Sequence, residues 1–416
     1  MDKLSLPDSA LRELDTMLAA TDAALAAHYP GPPRSRQPVH TVYVPADRVD
    51  AELPAAWGRE ALALLDAHES ALPSLPSGQL ADCLPRVRAK LARQPIEDLR
   101  IDFEDGYGPR PDAEEDAAAL AAARIVSAAV ADPSAPPFVG IRMKCMEAAV
   151  RDRGIRTLDV FLTGLLDAGG LPDGLVLTLP KVTFPQQVRA MVRLCEEFEK
   201  ARGLDGGRIG FEIQIETTQS ILGPDGTATV ARLIDAADGR ATGLHYGTFD
   251  YSASCGVSPA YQSMDHPVAD HAKAVMQVAA AGTGVRLSDG ATNVLPVGPT
   301  PQVHDAWRLH YGLVRRSLAR AYYQGWDMHP AHLPTRYAAV YAFYRDGFAV
   351  AAARLAAYVA KAGGDVMDEP ATAKALSGYL LRGLDSGALD PAEVTAATAL
   401  TRPELDSLAG RRPASA

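Results

Sequence analysis

Two runs decide the fold: RIGFEIQIET, residues 208–217, and ATGLHYGTFD, residues 241–250. Each is a short apolar or alternating strand pattern, each closes on a carboxylate (Glu216, Asp250), and each is followed by a loop and then a helix-like stretch. Working outward, six more such runs can be marked: TVYVPAD from 41, DLRIDFED from 98, FVGIRMK from 138, LVLTLPKV from 175, VRLSDGA from 285 and GWDMHP from 325. Between them lie Ala- and Leu-rich segments with spaced charges, such as AEEDAAALAAARIVSAAV and FPQQVRAMVRLCEEFEKARG, which favour helix. Strand and helix alternating eight times predicts a parallel sheet closed into a (β/α)8 TIM barrel. A doubly wound open sheet is the competing fold. Asp105, Lys181, Glu216, Asp250 and His329 sit at or just past the C-terminal ends of different strands, and they converge only if the sheet closes.

Two flanks stand outside the repeat. Residues 1–40 read as a helical preamble ending in the Pro-rich linker YPGPPRSRQP, residues 41–334 as the barrel, and residues 335–416 as a helical extension that either closes over the barrel mouth as a lid or docks on a neighbouring subunit. With 416 residues, 47% hydrophobic and 22% charged, the chain has ample material for one large core. The formal net charge of -10 and the lack of a basic block interleaved with aromatics argue against nucleic acid. Four scattered cysteines (Cys83, Cys145, Cys195, Cys255) with no CxxC pair suggest a reducing cytoplasm, and an N-terminus punctuated by Asp8, Arg12, Glu13, Asp15 and Asp22 suggests neither signal peptide nor membrane span.

Glu216 and Asp250, on adjacent strand ends, can share one hard cation: Mg2+ takes one or two carboxylates and completes its shell with water and substrate oxygens, an arrangement suited to chelating a 2-oxo acid. Capping a helix or pairing with Arg or Lys is the bland alternative. Gly247 and Thr248, in the turn before Asp250, are candidate substrate-binding residues. Arg142, ending the third strand, can hold a carboxylate in bidentate fashion and stabilise an enolate oxygen, or else pair with the carboxylates of the second strand. Lys181 contributes a point charge at the mouth or snorkels to the surface. In RIDFEDGYG, Asp102 and Glu104 share one face and Asp105 lies on the other, unless the strand ends at Glu104. Glu104 and Asp105 are expected to bond metal-bound waters or to orient Arg142, with a helix cap as the alternative. His329 and His332 are three apart with no third ligand in their motif and read as structural rather than as a zinc site, and His245 as a barrel-lining residue. No GxGxxG or P-loop pattern supports a nucleotide fold.

These residues carry a resemblance. VPAD, DFEDG, the strand ending in Arg142, LPKV, IETT, YGTFD, GWDMHP and VMDEP follow in the order of the HpcH/HpaI aldolase and citrate lyase β-subunit-like family, itself similar to malate synthase, over residues 41–381. No single tetrapeptide is specific; eight in register on successive elements are. The resemblance implies Mg2+ (or Mn2+) held by Glu216 and Asp250, with Arg142 binding the oxo-acid carboxylate and enolate oxygen. It further implies Asp368 as a general acid/base delivered from the C-terminal segment of its own or a neighbouring subunit of a homo-oligomer. The expected activity is carbon–carbon lysis of the aldolase or citrate-lyase type on a 2-oxo acid or an acyl-CoA, or condensation as in malate synthase. A non-catalytic or regulatory barrel that binds metal and oxo acid is the rival. Where the family commonly carries Arg-x-Asn, this chain has Arg142, Met143 and Lys144, so Lys144 either recruits a second acidic group or is solvated.

Overall fold

Eight parallel strands form the sheet in a computed structural model that describes residues 6–75, 78, 80–130, 132, 134–360 and 369–411. They are β1 (His40–Pro45), β2 (Asp98–Asp102), β3 (Phe138–Arg142), β4 (Leu177–Leu179), β5 (Phe211–Ile215), β6 (Ala241–Tyr246), β7 (Arg286–Ser288) and β8 (Gly325–Trp326). The order β7-β6-β5-β4-β3-β2-β1-β8 wraps the sheet nearly into a circle. The last seam, between β7 and β8, closes through a parallel bridge of Ser288 with Gln324 and through bonds from the Asp289 N–H to the Gln324 carbonyl and from the Trp326 N–H to the Gly290 carbonyl. All eight expected strands are present, and the closed alternative holds against the open sheet.

Alternation along the strands separates two chemistries. In β2 the apolar Leu99 and Ile101 pack outward with Phe161, Leu165 and Met191 of the surrounding helices, while Asp98, Arg100 and Asp102 turn inward; in β5 Phe211, Ile213 and Ile215 go out while Glu212 and Gln214 go in. The interior is therefore a polar plug rather than the layers of branched apolar residues usual in such barrels. Arg100 Nη2 reaches Asp98 Oδ2 at 2.7 Å and Glu212 Oε2 at 3.0 Å; His245 Nε2 meets Glu212 Oε1 at 3.0 Å, and its Nδ1 meets the Tyr43 hydroxyl at 3.2 Å. Burial alone would raise the Glu212 carboxyl, but Arg100 and His245 outweigh it and hold it down to about 2. A buried guanidinium with two carboxylates satisfies charge only as a set, since removing one member strands the others in low dielectric. His245 lines the barrel, as expected.

The helix Asp8–His28 precedes the barrel and buries none of its residues. After β8 the chain continues in helices Leu333–Val359, Pro370–Ser386, Pro391–Thr398 and Arg402–Leu408. These join helices Leu53–His68, Leu80–Arg93 and Thr300–Ala319 in a second apolar cluster along the barrel's flank, with Trp307, Tyr311, Tyr337 and Leu380 fully buried. Residues 361–368, which hold Asp368, lie outside the described residues. Among those described, no helix is long and apolar enough to cross a membrane, and all four cysteines are free.

Candidate functional site

The strands that carry the candidate residues end at one rim, so their polar side chains meet there. Glu216 follows β5 by one residue and continues the inward stripe of Glu212 and Gln214. Its Oε1 accepts the Lys181 backbone N–H at 2.7 Å and its Oε2 accepts Gln214 Nε2 at 2.7 Å. Lys181 has φ 49°, in the left-handed region that an L side chain rarely adopts, and such strain persists where surrounding bonds hold it; here the bond to Glu216 does so. Its ammonium lies among three other carboxylates: 2.8 Å from Asp105 Oδ2, 3.3 Å from Glu104 Oε1 and 3.5 Å from Asp250 Oδ1. Lys181 is thus an ion-paired rim residue, not a snorkelling one.

Arg142 closes β3 beneath this cluster. Its Nε and Nη2 grip the two oxygens of Asp102 at 2.7 and 2.8 Å, while Nη1 stands 3.4 Å from both Glu104 Oε2 and Gln214 Oε1. The fork expected for a substrate carboxylate is therefore already occupied by Asp102, and only Nη1 is directed to the cluster. Aromatic faces flank the guanidinium, with Tyr43 at 4.9 Å and Trp326 at 5.9 Å from its carbon. Strand β2 ends at Asp102, two residues before the sequence pattern required, which frees the loop to bring Glu104 and Asp105 to the same rim. Asp102 also accepts the N–H groups of Glu104 (3.0 Å) and Gly106 (2.9 Å), fixing that loop.

The charges are unequal in consequence. Burial pushes Glu216 up to about 8, with Asp250 and Glu104 adding to it against the pull of Lys181 and Arg142. Burial also raises Glu104, to about 7, with Asp105 working in the same direction. Burial would raise Asp105 too, but its bond to Lys181 wins and lowers it. Gly247 makes room for Glu216: a Cβ there would stand 2.4 Å from Glu216 Cβ and 2.9 Å from Oε2. Thr248 is buried with its hydroxyl unpartnered and set against Gly290, in the wall of the rim.

The donors that gather here are carboxylate oxygens, the chemistry a hard divalent cation selects. Burial favours the protonated form of Glu216, so ionising it for a cation works against that cost. Glu216 and Asp250 are the residues that would hold Mg2+, and the ion would compete there with the Lys181 ammonium, 3.5 Å from Asp250 Oδ1.

Other expectations resolve differently. Lys144 neither recruits a second acid at the mouth nor reaches solvent: it is buried, with Nζ on Glu115 Oε2 at 2.7 Å and the Phe103 carbonyl at 2.8 Å, tying the β2 loop to helix Asp112–Ala129. His329 caps the turn Pro330–His332, its Nδ1 accepting the Ala331 N–H. His332 instead stacks on His310 at 4.5 Å, near Asp327. That trio is close enough for a metal, yet Asp327 already accepts Arg336 (2.9 and 3.0 Å), His40 (2.7 Å) and His310 (3.1 Å), so a dication would compete with a guanidinium for the only carboxylate. Sequence reasoning missed Gln214 as the link between Arg142 and Glu216, although period two from Glu216 points to it, and missed the aromatic wall of Tyr43 and Trp326.

A family profile described as "Domain of unknown function (DUF6986)" matches residues 18–413. No protein of curated function matches the sequence. Among solved structures the chain is similar to a citrate lyase from Burkholderia xenovorans LB400, at 18% identity and TM-score 0.57, covering 87% of this chain and 96% of that one. It is similar also to malate synthase from Haloferax volcanii (16% identity, TM-score 0.51, 74% and 76% covered). A third match is CitE from Mycobacterium tuberculosis, solved with magnesium, acetoacetate and coenzyme A (17% identity, TM-score 0.50, 85% and 99% covered). At these identities the likeness is one of fold, and it agrees with the resemblance that the order of motifs carries.

Proposed function

The chain belongs to the DUF6986 family, and from that premise we propose that it is a Mg2+-dependent carbon–carbon lyase, of the citrate-lyase or aldolase type, working through the enolate of a 2-oxo acid or acyl-CoA. The observation that carries the reading is the gathering of Glu216, Asp250, Glu104 and Asp105 around Lys181 directly above Arg142, on the rim where barrel enzymes keep their chemistry.

The ion, held by Glu216 and Asp250, would supply Lewis acidity to the oxygens of the bound acid. Arg142 is held rigid by Asp102 and stacked by Tyr43, so its Nη1 offers a preorganised positive charge to a carboxylate or enolate oxygen without reorganising as charge develops. Gln214 bonds Glu216 and approaches Arg142, and so keeps the two in fixed relation. Lys181 balances the acids of the rim. Glu104, pushed to about 7, can hold a proton on its carboxylate near neutral pH and release it to a carbanion or leaving group. Asp368 is the second proposed proton carrier, on the strength of the VMDEP motif.

The test is a panel of 4-hydroxy-2-oxo acids, malyl-CoA and citryl-CoA, offered with Mg2+ to the wild type and to Asp250→Ala. Metal-dependent cleavage that the variant lacks supports the lyase reading and names the substrate class. Binding of Mg2+ and oxo acid without cleavage of any member of the panel would replace it with the non-catalytic binding barrel.

A further inference from the structure

The barrel has a second opening at the N-terminal ends of its strands, and a cavity of about 520 Å3 lies there, within the range of small-molecule sites. Its walls include the linker after the first helix, the end of helix Pro267–Ala280 and the start of β7, the turn before β8, and helix Pro370–Ser386 with the segment that follows Arg402–Leu408. Its charged lining is four cations, Arg286, Lys374, Arg382 and Arg411, against one carboxylate, Asp385.

That carboxylate is already engaged. Asp385 pairs with Arg411 at 3.0 Å and with Arg402. Arg286 has no carboxylate within ion-pair distance among the described residues. Its Nη2 donates to the Ser35 carbonyl at 2.5 Å and to Ser35 Oγ at 2.8 Å, and burial lowers it to about 10 against the more distant pull of Glu212, Asp385 and Asp98. The Arg382 guanidinium lies 4.1 Å from the centre of the Tyr323 ring and lines the cavity, again with no acid paired to it among the described residues. Lys374 lines the cavity from the same helix, a little over two turns before Arg382. Cations that share a partly desolvated hollow repel one another and lose hydration, and an anion of matching charge relieves both penalties. Pro32, Pro33, Val39 and Leu287 supply the apolar remainder that would hold a carbon skeleton.

We propose that this cavity binds a small organic polyanion, whose phosphate or carboxylate groups are gripped by Arg286, Arg382 and Lys374. The site is at the opposite end of the barrel from Glu216 and Asp250 and does not depend on the lyase reading. Binding joins the N-terminal linker, the barrel base and the C-terminal helices, so the ligand stabilises the fold by linkage.

Calorimetric titration of the full chain, in EDTA, with inorganic pyrophosphate and separately with tricarballylate tests it. The expected result is saturable one-to-one binding of at least one probe, weakened at least tenfold in Arg382→Gln and in Lys374→Gln, and unchanged in Asp250→Ala; the probe that binds distinguishes a phosphate from a carboxylate ligand. Lys374 is exposed, so its variant keeps the fold if Arg382→Gln does not. Absence of saturable binding of both probes at millimolar concentration, equal affinity in Lys374→Gln, or loss of binding in Asp250→Ala would overturn the proposal.

Discussion

Replacing Gly247 with alanine probes the rim through space alone. Its φ of -96° suits any residue, so the backbone raises no objection. A Cβ would, however, sit 2.4 Å from Glu216 Cβ, about 1 Å short of ordinary contact, and Glu216 is pinned behind by Gln214 and the Lys181 N–H. Overpacking of that kind costs about 1–3 kcal/mol. A ligand carboxylate displaced by a large fraction of an ångström cannot keep the near-octahedral geometry, at about 2.0–2.1 Å, that Mg2+ demands. A loss of affinity of about 10–100-fold follows. Urea unfolding with and without Mg2+ separates the two effects. At an ion concentration a hundred times the wild-type Kd, the wild type gains about 2.7 kcal/mol; a variant binding a hundredfold more weakly gains only about 0.4 kcal/mol. A Gly247→Ala protein that unfolds at the wild-type midpoint and gains as much from Mg2+ would refute both the packing argument and the assignment of Glu216.

Arg100→Leu strands Asp98 and Glu212 inside the barrel and should lower unfolding free energy by about 3–5 kcal/mol in urea; a loss under about 1 kcal/mol would mean that the polar plug is dispensable. In the metal-free protein, Glu216 titrates in the fold at about 8 against its ordinary 4.5, so the native state keeps a proton that the unfolded chain releases. Stability should therefore fall as pH rises from 4.5 to 8 and level off above, with Glu216→Gln flattening that slope. Deleting the helix Asp8–His28, which buries no residue, should shift unfolding free energy by no more than about 0.5 kcal/mol; a larger loss would assign it a packing partner.

The barrel was legible because its strands carry their apolar residues at period two and their carboxylates at C-terminal ends, and both features survive without any knowledge of contacts. Glu216, Asp250, Lys181 and Arg142 could be singled out for the same reason. Which partner each one takes could not. Asp102 captures the fork of Arg142 because the two end neighbouring strands in register, a pairing that only the folded sheet defines. Lys144 is drawn inward by Glu115, which sits one turn into the next helix and carries no mark in the sequence that it faces the barrel. The polar interior was half visible: Asp98, Arg100 and Glu212 interrupt apolar runs, but only the closed barrel brings Arg100 between acids from strands more than a hundred residues apart. The cavity at the base escapes sequence reading altogether, since its cations come from residues 286, 374, 382 and 411 and share no motif.

If the rim makes and holds an enolate, the C3 protons of a bound 2-oxo acid exchange with solvent. Hydrogen–deuterium exchange at C3 of pyruvate, followed by proton NMR, tests it without knowledge of the second substrate. The account predicts exchange that requires wild-type protein and Mg2+ together, lost in Glu216→Gln and strongly slowed in Arg142→Lys, where the grip of Asp102 on a fixed fork is gone. Exchange that proceeds equally in Glu216→Gln, or none in the wild type while Mg2+ and pyruvate both bind, would contradict it.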